Sequence, residues 1–308
     1  MSRRTASSAV DRARLMRLAT AASVAVASAL IAAKIVAWLM TGSVSLLSSL
    51  VDSLMDVAAS LVNLIAVRHA LTPPDQEHRF GHGKAEPLAG LGQAAFIAGS
   101  ALFLVIEAID RLIDPQPIEA QEVGIAVMAV SMVASLGLVR FQNYVVRRTG
   151  STAIDADALH YRTDIIVNGA VIAAILLSRY VGWGWADPVF ALGIALYIVR
   201  GASAIARRSL DLLMDREFAD GDRARIRQIV MDHPESRSLH DLRTRNSGTQ
   251  PFIQFHLELD PHISLLRAHE ISDEIERRVM AAFPGAEVII HQDPAGYEAP
   301  MPPLPAGR

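Results

Sequence analysis

Apolar residues run in six long stretches through the first two-thirds of the chain and then give way to short alternating patterns. A helix needs about 20 predominantly apolar residues to cross a bilayer. Six segments meet that length: 15–40, 44–66, 87–112, 123–141, 158–181 and 188–205. Thr41-Gly42-Ser43 separates the first two. Arg3-Arg4 ahead of Ala27-Ser28-Ala29 imitates a twin-arginine signal peptide, but the apolar run continues to Met40, longer than a signal core, and further spans follow.

Beyond about residue 213 the periodicity changes. Residues 222–231 predict a short amphipathic helix, 240–248 and 251–260 two strands around an Asn-Ser-Gly turn, 264–283 a second helix and 286–293 a third strand. The order αββαβ predicts a two-layer α+β domain of ferredoxin-like type. The Pro-rich tail has no core-forming pattern and reads as disordered. The predicted organisation is therefore a tail (1–14), a membrane all-α bundle of six transmembrane helices (15–213), an α+β domain (214–294) and the tail 295–308.

Charge orients this arrangement. Basic residues gather on one side of the predicted spans: Arg3 to Arg17, Arg68 to Lys84, Arg140 to Arg162, and Arg207-Arg208. The other side holds little beyond Arg111 and Arg179, with Trp183 and Trp185 as interfacial anchors. The positive-inside rule puts both termini, and with them the α+β domain, in the cytoplasm. A net charge of −3 with no long basic run argues against nucleic acid as a partner.

The chain has no cysteine, which excludes disulfides, thiolate metal sites and a cysteine nucleophile. Any metal must sit on His, Asp and Glu, a donor set that suits Zn²⁺, Fe²⁺ and Mn²⁺ and disfavours Cu⁺. Against that background "LVDSLMD" places Asp52 and Asp56 four residues apart inside an apolar span. An intramembrane carboxylate costs about 3 kcal/mol on insertion scales, so it marks a functional site by default. "DALHYRTD" in the fifth span offers His160 and Asp164 at the same spacing. Residues four apart share a helix face. Two such faces brought together supply three carboxylates and an imidazole, the four ligands of a tetrahedral Zn²⁺ site. Taken alone, each pair also fits helix-end groups that are solvated or ion-paired within the bundle. Asp155 and Asp157 read as helix-start residues.

Two further clusters stand out. In "TPPDQEHRFGHGKAE", Asp75, His78 and His82 lie close together, and Gly81 and Gly83 let the backbone fold so that all three reach one ion. A solvated loop is the competing reading. After residue 213 come His240, His256, His262, His269, His291 and Asp293. His291 and Asp293 share a strand face, being two apart. Either a metal cluster or scattered surface histidines accounts for them. No G-x-S-x-G, Walker A or G-x-G-x-x-G string occurs, and "HEISDE" has Asp273 where a zinc-protease helix needs its second histidine. These absences argue against an enzyme and against ATP-driven pumping, leaving an ion gradient as the energy source.

Five strings, "SLLSSLVDSLMDVAASLVNLIAVR", "HRFGHGKAEPLAGL", "DALHYRTDIIVNGA", "HDLRTRNSG" and "VIIHQDP", occur in family order. Together they resemble the cation diffusion facilitators, in particular the bacterial ferrous-iron and zinc efflux type. The resemblance runs from about Leu18 to Pro294. It implies a homodimeric zinc/proton antiporter of the bacterial inner membrane, with six transmembrane helices and a cytoplasmic ferredoxin-like domain. Asp52, Asp56, His160 and Asp164 match the family's transport site. Asp75, His78 and His82 match a loop site. His240, His256, His269, His291 and Asp293 match a cytoplasmic binuclear site, with Asp293 as bridging ligand. Ala295 stands after "HQDP" where relatives carry cysteine, and no matched ligand position is lost. The expected activity is exchange of cytoplasmic Zn²⁺, with Fe²⁺, Cd²⁺ or Mn²⁺ as further substrates, for external protons by alternating access. The expected partners are a second copy, the lipid bilayer, divalent metal ions and protons. A membrane protein that senses metal without transporting it is the alternative.

Overall fold

A computed structural model describes residues 3–41, 44–113, 122–181, 186–248 and 250–297. Trp183, Trp185 and the tail from residue 298 lie outside the described residues. The chain divides into two compact units, one of Val10–Leu210 and one built from Asp211 onward.

The first unit is helical: α1 (Arg3–Thr41), α2 (Val44–Ala70), α3 (Ala85–Ile113), α4 (Glu122–Thr149), α5 (Thr152–Val181) and α6 (Ala186–Leu213). Each contains one of the apolar segments and runs beyond it. The extra turns are polar, as at Arg147-Arg148 of α4, because residues that leave the apolar pattern still form good helix. The helix α5 starts six residues before its apolar segment, at Thr152. Ser151 sets that start: its Oγ accepts a hydrogen bond from the Ile154 N–H at 3.2 Å.

Among the described residues, four helical stretches are long and apolar enough to cross a membrane: Val10–Met40, Ala85–Asp110, Met128–Thr149 and Val189–Leu213. The helices α2 and α5 are of similar length and carry the Asp52/Asp56 and His160/Asp164 pairs. The surface of this unit is apolar, with Val62, Phe103, Val133 and Leu196 all more than half exposed. Its interior is built of small and polar groups, among them Ala19, Ala101, Ala156, Asn63, Gln142 and Asp157. That inversion of the soluble pattern suits a lipid surround, where close helix packing depends on small residues and polar groups must find partners inside.

The second unit follows the order α7 (Asp220–Met231), β1 (Ser238–Ser247), β2 (Gln250–Leu259), α8 (Leu265–Ala282) and β3 (Glu287–Pro294). The αββαβ order is as read from the sequence. The sheet has three strands, ordered β1-β2-β3, where a complete β-α-β-β-α-β unit has four. Strands β1 and β2 run antiparallel, and β3 returns parallel to β2. Alternation along β2 sends Ile253, Phe255, Leu257 and Leu259 into a core with Ile226 and Val230 of α7 and Ile271, Ile275 and Val279 of α8. Each fully buried Leu, Ile, Val or Phe contributes about 1.5–3 kcal/mol. Ser264 caps α8 by accepting the Arg267 N–H. The opposite face of the sheet carries the histidines.

Candidate metal centres

The first cluster joins α2 and α5. His160 Nε2 lies 2.9 Å from Asp56 Oδ1 and 3.8 Å from Asp164 Oδ2. One donor atom from each of the three lies within 4.8 Å of the others. Donors bound tetrahedrally at about 2.0–2.1 Å from Zn²⁺ stand about 3.3 Å apart, so these spacings need little rearrangement to share an ion. Asp52 lies one turn earlier on α2, and its side chain is outside the described residues. The three groups line a cavity of about 690 Å³, together with Lys34, Ser53 and Asn168. Lys34 Nζ donates to Ser53 Oγ at 2.6 Å.

A polar lattice surrounds the cluster. Asp157, read from the sequence as a helix-start residue, is instead 1% exposed. Its two oxygens accept from Gln93 Nε2 of α3 at 3.2 Å and Gln142 Nε2 of α4 at 2.6 Å. The Tyr161 hydroxyl lies within hydrogen-bond reach of Ser60 Oγ and Ser23 Oγ, and Asn63 Nδ2 donates to the Ala153 carbonyl at 3.2 Å. Sequence reading passed over Lys34, Gln93 and Gln142. The signal was present, since a charged or amide group inside an apolar span needs a partner there.

The second cluster lies in the loop between α2 and α3. Asp75 Oδ1 accepts the backbone N–H groups of His78 at 2.6 Å and Glu77 at 3.0 Å. The His78 N–H leads in holding this carboxyl below its ordinary range. The chain turns back at Gly81, whose φ of +78° few other residues adopt. Asp75 then lies 3.4 Å from His78 Nδ1 and 3.4 Å from His82 Nε2. The His82 side chain is 4% exposed. Its ring packs 4.5 Å from that of His78 and 4.6 Å from that of His69, centroid to centroid. His82 Nδ1 is buried with no hydrogen-bond partner among the described residues.

The third cluster is on the open face of the sheet. Strand register aligns His240 with His256, and His256 with His291, so three imidazoles form one row across three strands. Asp293, 3% exposed, sits beneath them. Its Oδ2 is 2.8 Å from His256 Nδ1 and 3.4 Å from His240 Nε2, and its Oδ1 is 3.1 Å from His291 Nε2. His240, His256 and Asp293 bring donor atoms within 4.8 Å of one another. His269 is not in this group; its Nε2 is 3.7 Å from Asp273, one turn along α8. Two acids escaped the sequence reading. Asp241 Oδ2 lies 3.8 Å from His256 Nε2, and Glu258 Oε1 lies 3.5 Å from His240 Nδ1. Asp241 reaches its place through an irregularity in strand register between His240 and Arg243, where its φ is +47°. Strict alternation does not forecast that.

The comparison with known proteins agrees with this division of the chain. Residues 20–214 match the cation efflux transmembrane domain, and residues 219–295 match the cation efflux protein cytoplasmic domain. The cation-efflux pump FieF of Klebsiella pneumoniae is 50% identical over 282 residues, 92% of this chain and 94% of that protein. The FieF of Shewanella oneidensis is 50% identical over 283 residues, 92% of this chain and 95% of its own length. The metal-bound C-terminal domain of the CzcD transporter from Thermotoga maritima shares 28% identity over 25% of this chain and 90% of that one, with a TM-score of 0.24. The family matches span both units, and the chain belongs to the cation efflux family as a multi-pass membrane protein.

Proposed function

We propose that this protein exports divalent transition-metal cations, Zn²⁺ foremost and Fe²⁺, Cd²⁺ or Mn²⁺ as further substrates, in exchange for external protons. The observation that carries the proposal is the Asp56–His160–Asp164 cluster inside a cavity of the helical unit. His160 Nε2 faces both carboxylates. A proton on that nitrogen and a metal on its lone pair exclude each other, so the two compete for the same atom. Imidazole suits the exchange because one ring nitrogen accepts either a proton or a metal ion. Asp52 completes the set as the fourth ligand. Facing the cytoplasm the site is deprotonated and takes the metal; facing outward it meets acid, takes protons and lets the metal go. Because each ligand pair sits on one rigid helix, a small tilt of helices alters access without dismantling either pair.

In this reading all six long helices cross a bacterial inner membrane with both termini cytoplasmic, and two copies form the working dimer. The name FieF cation-efflux pump, carried by relatives at 50% identity, supports export. The loop residues Asp75, His78 and His82 hold a further metal ion. His240, His256, His291 and Asp293 hold resident metal in the cytoplasmic domain, and the division of the Asp293 oxygens between His291 and the other two histidines suits a bridging carboxylate. Metal there stabilises the dimer by binding the associated state preferentially. In sedimentation of the full chain, zinc therefore strengthens association, and Asp293→Ala removes the zinc dependence.

The deciding experiment is zinc flux into proteoliposomes under an imposed pH gradient. Flux that follows the gradient and vanishes in Asp56→Ala is the expected result. Flux independent of the gradient makes the protein a uniporter, and zinc binding without flux makes it a sensor.

A further inference from the structure

We propose that His69, in the last turn of α2, is the fourth ligand of the loop metal site, closing Asp75, His78 and His82 into a set of three imidazoles and one carboxylate. The inference rests on the reading of that loop as a metal site.

Three donors leave a tetrahedral ion one position short. The spacings of 3.4 Å from Asp75 to His78 and to His82 suit neighbouring ligands of a single ion. His82 is the anchor of the group. It is buried, and its Nδ1 has no hydrogen-bond partner among the described residues. Its other nitrogen, Nε2, faces Asp75 at 3.4 Å and is the one placed to take the ion. Two rings pack against His82 at nearly equal distance, His78 at 4.5 Å and His69 at 4.6 Å. Only the first is part of the compact donor group.

The backbone explains why His69 is within reach. Its carbonyl accepts the Thr72 N–H at 2.9 Å, so α2 ends on it and the loop departs from it. The turn at Gly81 then carries the loop back, and His82 returns to the end of the helix. His69 is exposed, so its ring swings about its side-chain torsions without disturbing packing. An exposed histidine at a helix C-terminus is also favoured by the helix dipole alone. That explanation requires no contact with His82, whereas the two rings meet edge to face.

Four protein donors make the site closed. It then retains its ion and pins the loop to α2, in the manner of structural zinc sites, and does not pass ions onward through an open position.

Residue-resolved histidine labelling with diethyl pyrocarbonate tests this on the full chain in detergent micelles titrated with Zn²⁺. Zinc should protect His69 and His78 with a common midpoint, and Asp75→Ala should raise that midpoint for both. His69→Phe keeps a ring without a donor, and should raise the His78 midpoint about tenfold or more. His69→Asp restores a ligand and should recover much of that loss. If His78 is protected while His69 stays reactive, or if His69→Phe leaves the His78 midpoint unchanged, the role of His69 is overturned and the loop site stands. If zinc protects neither residue, the loop site itself falls, and this inference with it.

Discussion

His160 Nε2 and Asp56 Oδ1 stand 2.9 Å apart and tie α5 to α2 across 104 residues of chain. The same nitrogen that makes this contact is the one a metal would take, so the link and the ion are alternatives. His160→Gln keeps a hydrogen-bonding group beside Asp56 and removes both the strong ligand and the titrating ring. Zinc half-saturation of transport should rise at least about tenfold, and the remaining flux should depend less on the pH gradient. Transport assays at several external pH values read both effects. Unchanged pH dependence would reject His160 as a proton carrier.

Lys34 lines the cavity that holds Asp56, His160 and Asp164. A cation there opposes metal entry and offsets carboxylate charge once the metal has left. Removing one unit charge from a site of intermediate dielectric shifts binding by about 1–2 kcal/mol. Lys34→Met should therefore bind Zn²⁺ roughly five- to thirtyfold more tightly while slowing turnover. Equilibrium binding and single-turnover release on the same preparation separate the two. Weaker binding would mean that Lys34 supports the site by packing alone.

Gln142 donates to Asp157 Oδ2 at 2.6 Å and joins α4 to α5 in a fully buried setting. Gln142→Leu preserves apolar volume and strips the carboxylate of one donor. The cost is about 1–3 kcal/mol, as for a buried acceptor left unsatisfied. A lowered unfolding temperature in detergent is expected. The double variant Gln142→Leu/Asp157→Leu should recover part of the loss, because the carboxylate that lost its donor is then gone.

Glu235 hydrogen-bonds Arg267, which holds its carboxyl below the ordinary value of 4.5. A lowered folded-state pKa contributes stability that is complete above the unfolded value and is lost as pH falls through the folded one. Protection of α8 amides against hydrogen exchange, corrected for intrinsic pH effects, should therefore weaken below about pH 4.5. Glu235→Gln should remove that component and leave a flatter profile. The pair is solvent-exposed, so the effect is small.

Much of this molecule is local and therefore legible along the chain. Helix periodicity alone put Asp52 with Asp56 and His160 with Asp164, because residues four apart share a face whatever the helix packs against. Strand alternation alone put His291 and Asp293 on one side of β3. The order αββαβ, and ends such as the Ser264 cap of α8, follow from patterns a few residues long.

Tertiary structure decided what those faces meet. The contact of His160 with Asp56 depends on α2 lying beside α5, which no local spacing encodes. Asp157 resembled a helix-start acid, but Gln93 and Gln142 from two other helices make it a buried hub. The row His240–His256–His291 exists because strand register aligns three positions separated by long stretches of chain. His269, on α8, carries the same chemistry and stands outside that compact group. Periodicity is fixed by bond geometry within a few residues. The partners of each face are fixed by which distant surfaces fit together while leaving few buried polar groups unpaired.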